Sequence, residues 1–177
     1  MGQDLDYGKS VLQAESDAIL LVMARLDSAF ERAVDLLVDC RGHVVLTGMG
    51  KPGIIGQKIS ATLASTGTPS FSLHPAEALH GDLGRVVKDD VVLALSNSGE
   101  SEEVVRLIPP IRRVDARILC ITGNPASALA TQSDVAINLG PLQEACPLGL
   151  APSASTTAML AVGDALALAV QRRRGFD

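Results

Sequence analysis

The chain has 177 residues, enough for one compact domain with a proper hydrophobic core. A formal net charge of −5, with its only dense basic run at 172–174, offers nucleic acid no electrostatic footprint. Cys40, Cys120 and Cys146 show no CxxC spacing, which argues against a disulfide framework or a zinc site.

The opening residues MGQDLDYGKS lack a signal pattern, and the longest apolar stretch, 158–170, is too short to span a bilayer. A cytoplasmic protein with no membrane partner is the expectation. An apolar fraction of 47% with no Trp, one Tyr and three Phe points to an aliphatic interior, as buried parallel strands favour.

Over residues 10–40, Leu26, Phe30, Ala33 and Leu37 recur at steps of three and four, which predicts helix, with a break at Asp27-Ser28. Residues 43–47 read as a strand ending in a Gly-rich turn, and 52–65 as an apolar helix. Gly67-Thr68-Pro69 punctuates, and 70–73 form a short second strand. Residues 90–95 are a continuous apolar strand, followed by a polar loop and a helix that Pro109-Pro110 should kink or break. A fourth strand (117–121), a short helix (125–131), a fifth strand (135–139), a loop (140–152) and a mostly apolar last helix (153–174) complete the chain. Alternating strands and helices without repeats or linkers predict an α/β fold, a parallel sheet with helices on both faces.

Ligands in such sheets sit beyond the carboxyl ends of the strands, and two loops there have the chemistry for it. Gly48-Met49-Gly50-Lys51-Pro52-Gly53 opens a helix with permissive glycines, free N–H groups and a cation. It fits GxGxxG, but a nicotinamide site would also need an acid after the second strand, where Leu73-His74-Pro75 stand. A P-loop is excluded because Pro52 replaces the magnesium-binding hydroxyl. Ser96-Asn97-Ser98-Gly99-Glu100-Ser101 clusters three hydroxyls before a helix, a neutral cradle for a phosphate dianion or a set of caps. Ser153, Ser155, Thr156 and Thr157 repeat the theme at the last helix, where capping is the simpler alternative.

With these segments in view, the strings GMGKPGIIGQKI, STGTPSF, HPAEALHGDLG, LSNSGESEEV, CITG and EACPLGLAPSASTTAMLAVGDALA resemble the SIS (sugar isomerase) domain family, and within it the arabinose 5-phosphate isomerases. The likeness runs over about residues 44–176. It implies one SIS domain over 1–177, a three-layer αβα sandwich around a five-stranded parallel sheet, with the helical segment 1–41 packed on it. It also implies a homotetramer and a cofactor-free enzyme that interconverts ribulose 5-phosphate and arabinose 5-phosphate, at the entry to Kdo synthesis for lipopolysaccharide or capsule.

By the same resemblance Ser96, Ser98 and Ser101 bind the phosphate, and Lys51, Glu103, Glu144 and His80 lie in the active site. Gly50, Asn97, Ser153, Ser155 and Thr156 join them as expected substrate contacts. Longer family members carry a CBS pair after the domain, and the resembled enzymes a further active-site histidine in a Ser-His-Pro-Gly-Gly segment. This chain stops at Arg174-Gly175-Phe176-Asp177, so the expectation is a chain that binds its pentose phosphate and isomerises slowly.

Isomerisation through an enediol needs a base beside C1 and C2 and charge stabilisation for the enediolate. A carboxylate raised in pKa by partial burial suits the base. Glu100 sits inside the serine loop, where it could simply face solvent. Glu103 lies in a first helical turn, where acids usually complement the dipole. Glu144, in a Gly/Pro-rich loop, has no evident structural task and ranks first, with Glu103 as second acid or positioning group. Lys51 could neutralise the enediolate, and His80, near Asp82, could shuttle protons during ring opening. His74, Glu77 and His80 have only loose metal-ligand spacing, and no metal is expected. The alternative is a SIS-type regulatory domain that binds a sugar phosphate without turnover; Lys51, Glu103, Glu144 and His80 together favour the enzyme.

Overall fold

The computed structural model describes residues 2–176. Two helices come first, α1 (Gln3–Arg25) and α2 (Ser28–Val38). The break between them is a cap: the Asp27 carboxylate accepts the Ala29 N–H at 2.7 Å and starts α2. The chain continues as β1 (Val44–Gly48), α3 (Lys51–Ser65), β2 (Ser70–Ser72), α4 (Pro75–Leu79), a 3-10 turn (Asp82–Arg85) and β3 (Val91–Leu95). Then come α5 (Glu102–Val105), α6 (Ile108–Arg113), β4 (Arg117–Thr122), α7 (Ala128–Gln132), β5 (Val135–Asn138) and α8 (Ala154–Arg174). The Pro109-Pro110 pair does break its helix. α5 and α6 are separate, with proline in the first turn of α6, where a missing N–H removes no helical bond. The turns between residues 75 and 85 escaped the sequence reading because four or five residues carry no periodicity.

The sheet has the order β2-β1-β3-β4-β5, and every pair is parallel. Strands buried on both faces explain the unbroken apolar runs of the sequence. Val44, Leu46, Leu93, Leu119 and Ile121 pack against α2, α3 and α8 on one face. Val45, Val92, Ile118 and Cys120 pack on the other, under α4, α5, α6 and α7. The architecture is the expected three-layer αβα sandwich.

α3 and α8 run parallel and in step. Lys58 meets the Asp164 carboxylate at 2.6 Å and Thr68 meets Arg174 at 3.3 Å, both pairs separated by 106 positions. Gly163 makes the close approach possible, since a Cβ there would enter the space of Ile59. The constant offset puts the start of α3 level with the start of α8, both at the carboxyl edge of the sheet. Arg174 then closes α2, donating to the Leu37 and Val38 carbonyls at 2.8 and 3.1 Å.

α8 is long and apolar enough to cross a membrane, but half of it is buried among α1, α2 and α3, as a core helix is. Ala158, Met159, Val162 and Leu166 lie inside, while Ala165 and Leu168 of α8 stay exposed. α1 adds to this surface, with Leu12, Leu20, Leu21 and Met23 exposed.

Asp134 fixes the far edge of the sheet. Its carboxylate accepts the Ile118 N–H at 2.7 Å, Arg112 at 2.7 Å and Arg117 at 2.9 Å. Burial alone would raise its pKa, but the Ile118 and Arg112 bonds outweigh burial and hold it below the ordinary range. A carboxyl depressed in the fold stabilises above its unfolded pKa, about 3.9, and loses that contribution as pH falls through the folded value. Asp134→Asn should therefore cost about 1.5–3 kcal/mol at pH 7 in urea denaturation, with the deficit shrinking as the pH is lowered below about 4.

Candidate active site

Strand order reverses between β1 and β3, and the crevice beyond their carboxyl ends is where open α/β sheets take ligands. The glycines of the first loop divide their work there. A Cβ on Gly48 would lie 2.9 Å from the Leu95 carbonyl oxygen, and one on Gly53 would strike the Gly48 carbonyl. These two let strand end and helix start meet backbone to backbone. Gly50 is different, with φ of 61° and open space where a side chain would stand. It exposes backbone to the crevice, and Lys51 stands exposed at the first position of α3 beside it. Next to this turn is a polar cleft of about 350 Å³ bordered by Gly50, Gln57, Ser72, His74 and Glu77.

The serine loop is folded by its own hydroxyls and braced from below. Ser96 is buried, accepts the Gly99 N–H at 3.1 Å and meets Ser101 Oγ at 3.0 Å. Ser98 is exposed and accepts the Glu100 N–H at 3.2 Å. Asn97 turns its side outward while its carbonyl accepts the Gly123 N–H at 2.9 Å. Gly99, at φ of 68°, lies so close to Ser127 that no Cβ fits, and its carbonyl accepts the Leu129 N–H at 3.1 Å. Glu100 does not face solvent idly, as the sequence reading allowed: its carboxylate accepts the Ala128 N–H at 2.8 Å and clamps the loop to the start of α7. Ser98 is exposed and Ser101 half-buried on the outside of the loop, with buried Ser96 beneath them.

Glu144 has a structural task that its sequence context concealed. Its carboxylate accepts the Ser153 N–H at 2.7 Å, the Ser153 hydroxyl at 3.3 Å and the Ser155 N–H at 3.4 Å. It caps α8, whose own N-cap residue Ser153 makes no side-chain cap bond; that hydroxyl instead accepts the Ala145 N–H at 3.2 Å. Thr156 donates back to the Ser153 carbonyl at 2.9 Å. Burial pushes the Glu144 pKa up, yet bonds from Ser155 and Ser153 win and leave it below the ordinary range. This corrects the expectation of a base raised by burial: the resting carboxylate is ionised and engaged.

The remaining candidates gather at the same edge but on both sides of the sheet. Glu103 is half-buried in α5, which packs against α4, and exposed His80 is the C-cap residue of α4. These two belong to one layer; Lys51, Glu144 and the start of α8 belong to the other. His74 Nδ1 accepts the Ala76 N–H at 3.3 Å and so caps α4. Among the described residues no three His, Cys, Asp or Glu side chains group as a metal site requires, and the cysteines are unpaired. The sequence reading also passed over Thr47, a hydroxyl ending an otherwise apolar strand, whose buried Oγ1 has no hydrogen-bond partner among the described residues.

A parallel 2-1-3-4-5 sheet with a serine loop after its third strand and a carboxylate at the start of its last helix defines an SIS domain. Residues 36–169 match the model of that family, and the chain belongs to it. Its relatives are more particular. The chain is 51% identical over 179 residues to arabinose 5-phosphate isomerase KdsD of Pseudomonas aeruginosa, covering 99% of this chain and 55% of that protein. It is 51% identical over 169 residues to arabinose 5-phosphate isomerase KdsD of Escherichia coli K12, covering 96% and 52%. The chain thus spans about half the length of the curated relatives it matches. A solved protein of E. coli CFT073, in complex with arabinose 5-phosphate, superposes with a TM-score of 0.96 at 42% identity, over 100% of this chain and 95% of that one.

Because Glu144 holds the first N–H groups of α8, Glu144→Ala should destabilise the fold by about 1–2 kcal/mol at pH 7. The contribution is present above the unfolded glutamate pKa, about 4.3, and fades as pH falls through the lower folded value. Urea denaturation of both proteins at neutral and at acid pH checks this, the gap narrowing at the acid end.

Proposed function

We propose that this chain is the isomerase domain of an arabinose 5-phosphate isomerase, interconverting arabinose 5-phosphate and ribulose 5-phosphate. The observation that carries the reading is one edge of the sheet holding both a pre-folded serine loop and an ionised carboxylate at a helix start. The names of its half-identical relatives and the arabinose 5-phosphate complex of its structural neighbour support the choice of pentose phosphate.

In this reading Ser98 and Ser101 receive the phosphate, with Asn97, Gly50 and the Ser153–Ser155–Thr156 segment turned toward the rest of the substrate. A ligand oxygen competing for the Ser153 and Ser155 N–H groups would release the Glu144 carboxylate. Freed of those bonds, its pKa rises toward the range in which a base works near neutrality. Glu144 then takes the C2 proton of the aldose, the enediolate forms beside Lys51, and the proton returns to C1 to give the ketose. Glu103 and His80 serve proton movement between the two oxygens and ring opening. The reaction needs no cofactor, and run in reverse, from ketose to aldose, it supplies the arabinose 5-phosphate that leads to Kdo for lipopolysaccharide or capsule, which suits a cytoplasmic enzyme.

Incubation with ribulose 5-phosphate and identification of the product by NMR tests the activity. Ser98→Ala and Ser101→Ala should each weaken arabinose 5-phosphate binding by about 1.5–3 kcal/mol, since each removes a hydrogen bond to a charged acceptor. Glu144→Gln should still bind, yet fail to exchange the C2 proton with deuterated water. Normal exchange in that variant would move the base to Glu103.

We also infer a homotetramer, supported by the exposed α1 residues Leu12, Leu20 and Met23 and by an apolar groove between α1 and α8 bordered by Ile19, Met23, Leu26 and Ala161. Light scattering at micromolar concentration should give a mass well above one chain; a monomer contradicts it.

A further inference from the structure

The structure assigns to Arg25, at the end of α1, the task of positioning the loop that carries Glu144. This rests on the isomerase reading, in which Glu144 moves a proton. Arg25 Nη1 donates to the Leu139 carbonyl at 2.6 Å and to the Pro141 carbonyl at 3.2 Å, on either side of Gly140. Gly140 is left-handed, with φ of 70°, and a Cβ on it would sit 2.5 Å from the guanidinium. Arginine and glycine thus form one lock: the guanidinium lies where a side chain would be, and the turn presents two carbonyls to a single planar donor. Asn138 completes the exit from β5 by accepting the Gly140 N–H at 2.8 Å.

What happens beyond the lock makes it matter. Four residues after Gly140 comes Glu144, which holds the far side of the arc to Ser153 and Ser155. Between these anchors only Leu142 packs against the core, and a cavity of about 430 Å³ lies between Leu142, Gln143 and Glu144 and Ser10, Ala14 and Asp17 of α1. When Glu144 leaves Ser153 and Ser155 to act on substrate, the far side of the arc keeps only the Ala145 N–H bond to Ser153. The bonds at the exit from β5 then limit where the carboxylate can travel. Without Arg25 the same carboxylate explores more positions, and fewer of them lie at reacting distance. Phosphate binding, built on a loop at another strand, is untouched.

Arg25→Met and Gly140→Ala break the lock from its two sides, and Arg25→Lys keeps the charge but not the two-carbonyl fork. In Arg25→Met, amide hydrogen exchange over residues 140–153 should rise about tenfold or more, while β1, β3 and the serine loop keep their protection. C2-proton exchange with deuterated water should fall about 10–100-fold, with arabinose 5-phosphate affinity within about threefold of the parent. Arg25→Lys should recover part of the rate, and the double variant Arg25→Met/Gly140→Ala should be no worse than the poorer single. Unchanged amide exchange in the 140–153 loop overturns the assignment, and so does a loss of affinity and melting temperature in step with rate. A parent chain that exchanges no C2 proton instead overturns the isomerase reading, and the amide-exchange arm still decides whether Arg25 holds the loop.

Discussion

Five strands running in one direction bring the starts of α3, α5, α7 and α8 to the same edge of the sheet, and with them N–H groups that no helix can satisfy internally. Those donors have to be met, and the chain meets two groups of them with carboxylates. Glu100 takes the first N–H of α7, and Glu144 takes those of Ser153 and Ser155 at α8. The rest of the site follows from this. Glu100 gives the serine loop a fixed shape by tying it to another helix. Glu144 becomes an ionised group engaged by helix-start N–H groups at the same edge. The edge that collects unpaired donors favours anionic ligands, and in the proposed reaction one of the acids that cap it, Glu144, is the base.

Much of the layout was legible because buried parallel strands and capped helices leave plain traces. The apolar runs at β1, β3 and β4, the Asp27 break and the Pro109-Pro110 interruption all appear where the pattern puts them. The short α4 and the turn after it were not legible, since elements of four or five residues are set by tertiary contacts instead of by periodicity. The exposure of apolar residues along the long helices was not legible either. A helix apolar on most faces is covered by three other helices over half its surface, and α1 exposes apolar residues that its own sequence pattern did not single out.

The site was legible in its residue types and illegible in its partnerships. Three serines, Asn97 and Gly99 after a buried strand announce a loop that could hold an anion. Nothing in the string says that Ser96 is spent on holding Gly99 and Ser101, while Ser98 and Ser101 remain available. Glu144 was ranked first because its surroundings suggested no structural use, yet it has one, nine and eleven residues ahead in the chain. Arg25 carried no signal at all. Its partners lie 114 and 116 positions away, and both are main-chain carbonyls, which have no residue type to read.

The two halves of this edge differ in how firmly they are built, and that bears on how such a domain can change over time. The serine loop is bolted to α7 through Glu100 and Gly99 and to the end of β4 through Asn97, so altering it disturbs several backbone bonds at once. The arc from Pro141 to Pro152 hangs from few points over open space, and most of its residues touch nothing that the fold needs. Substitution, lengthening or shortening in that arc can reshape the ground around the sugar while the anion cradle stays as it is. In the isomerase reading a new sugar could thus be adopted by rewriting residues of this arc other than Glu144, and lineages that diverge in sugar should differ there before they differ anywhere else on this edge.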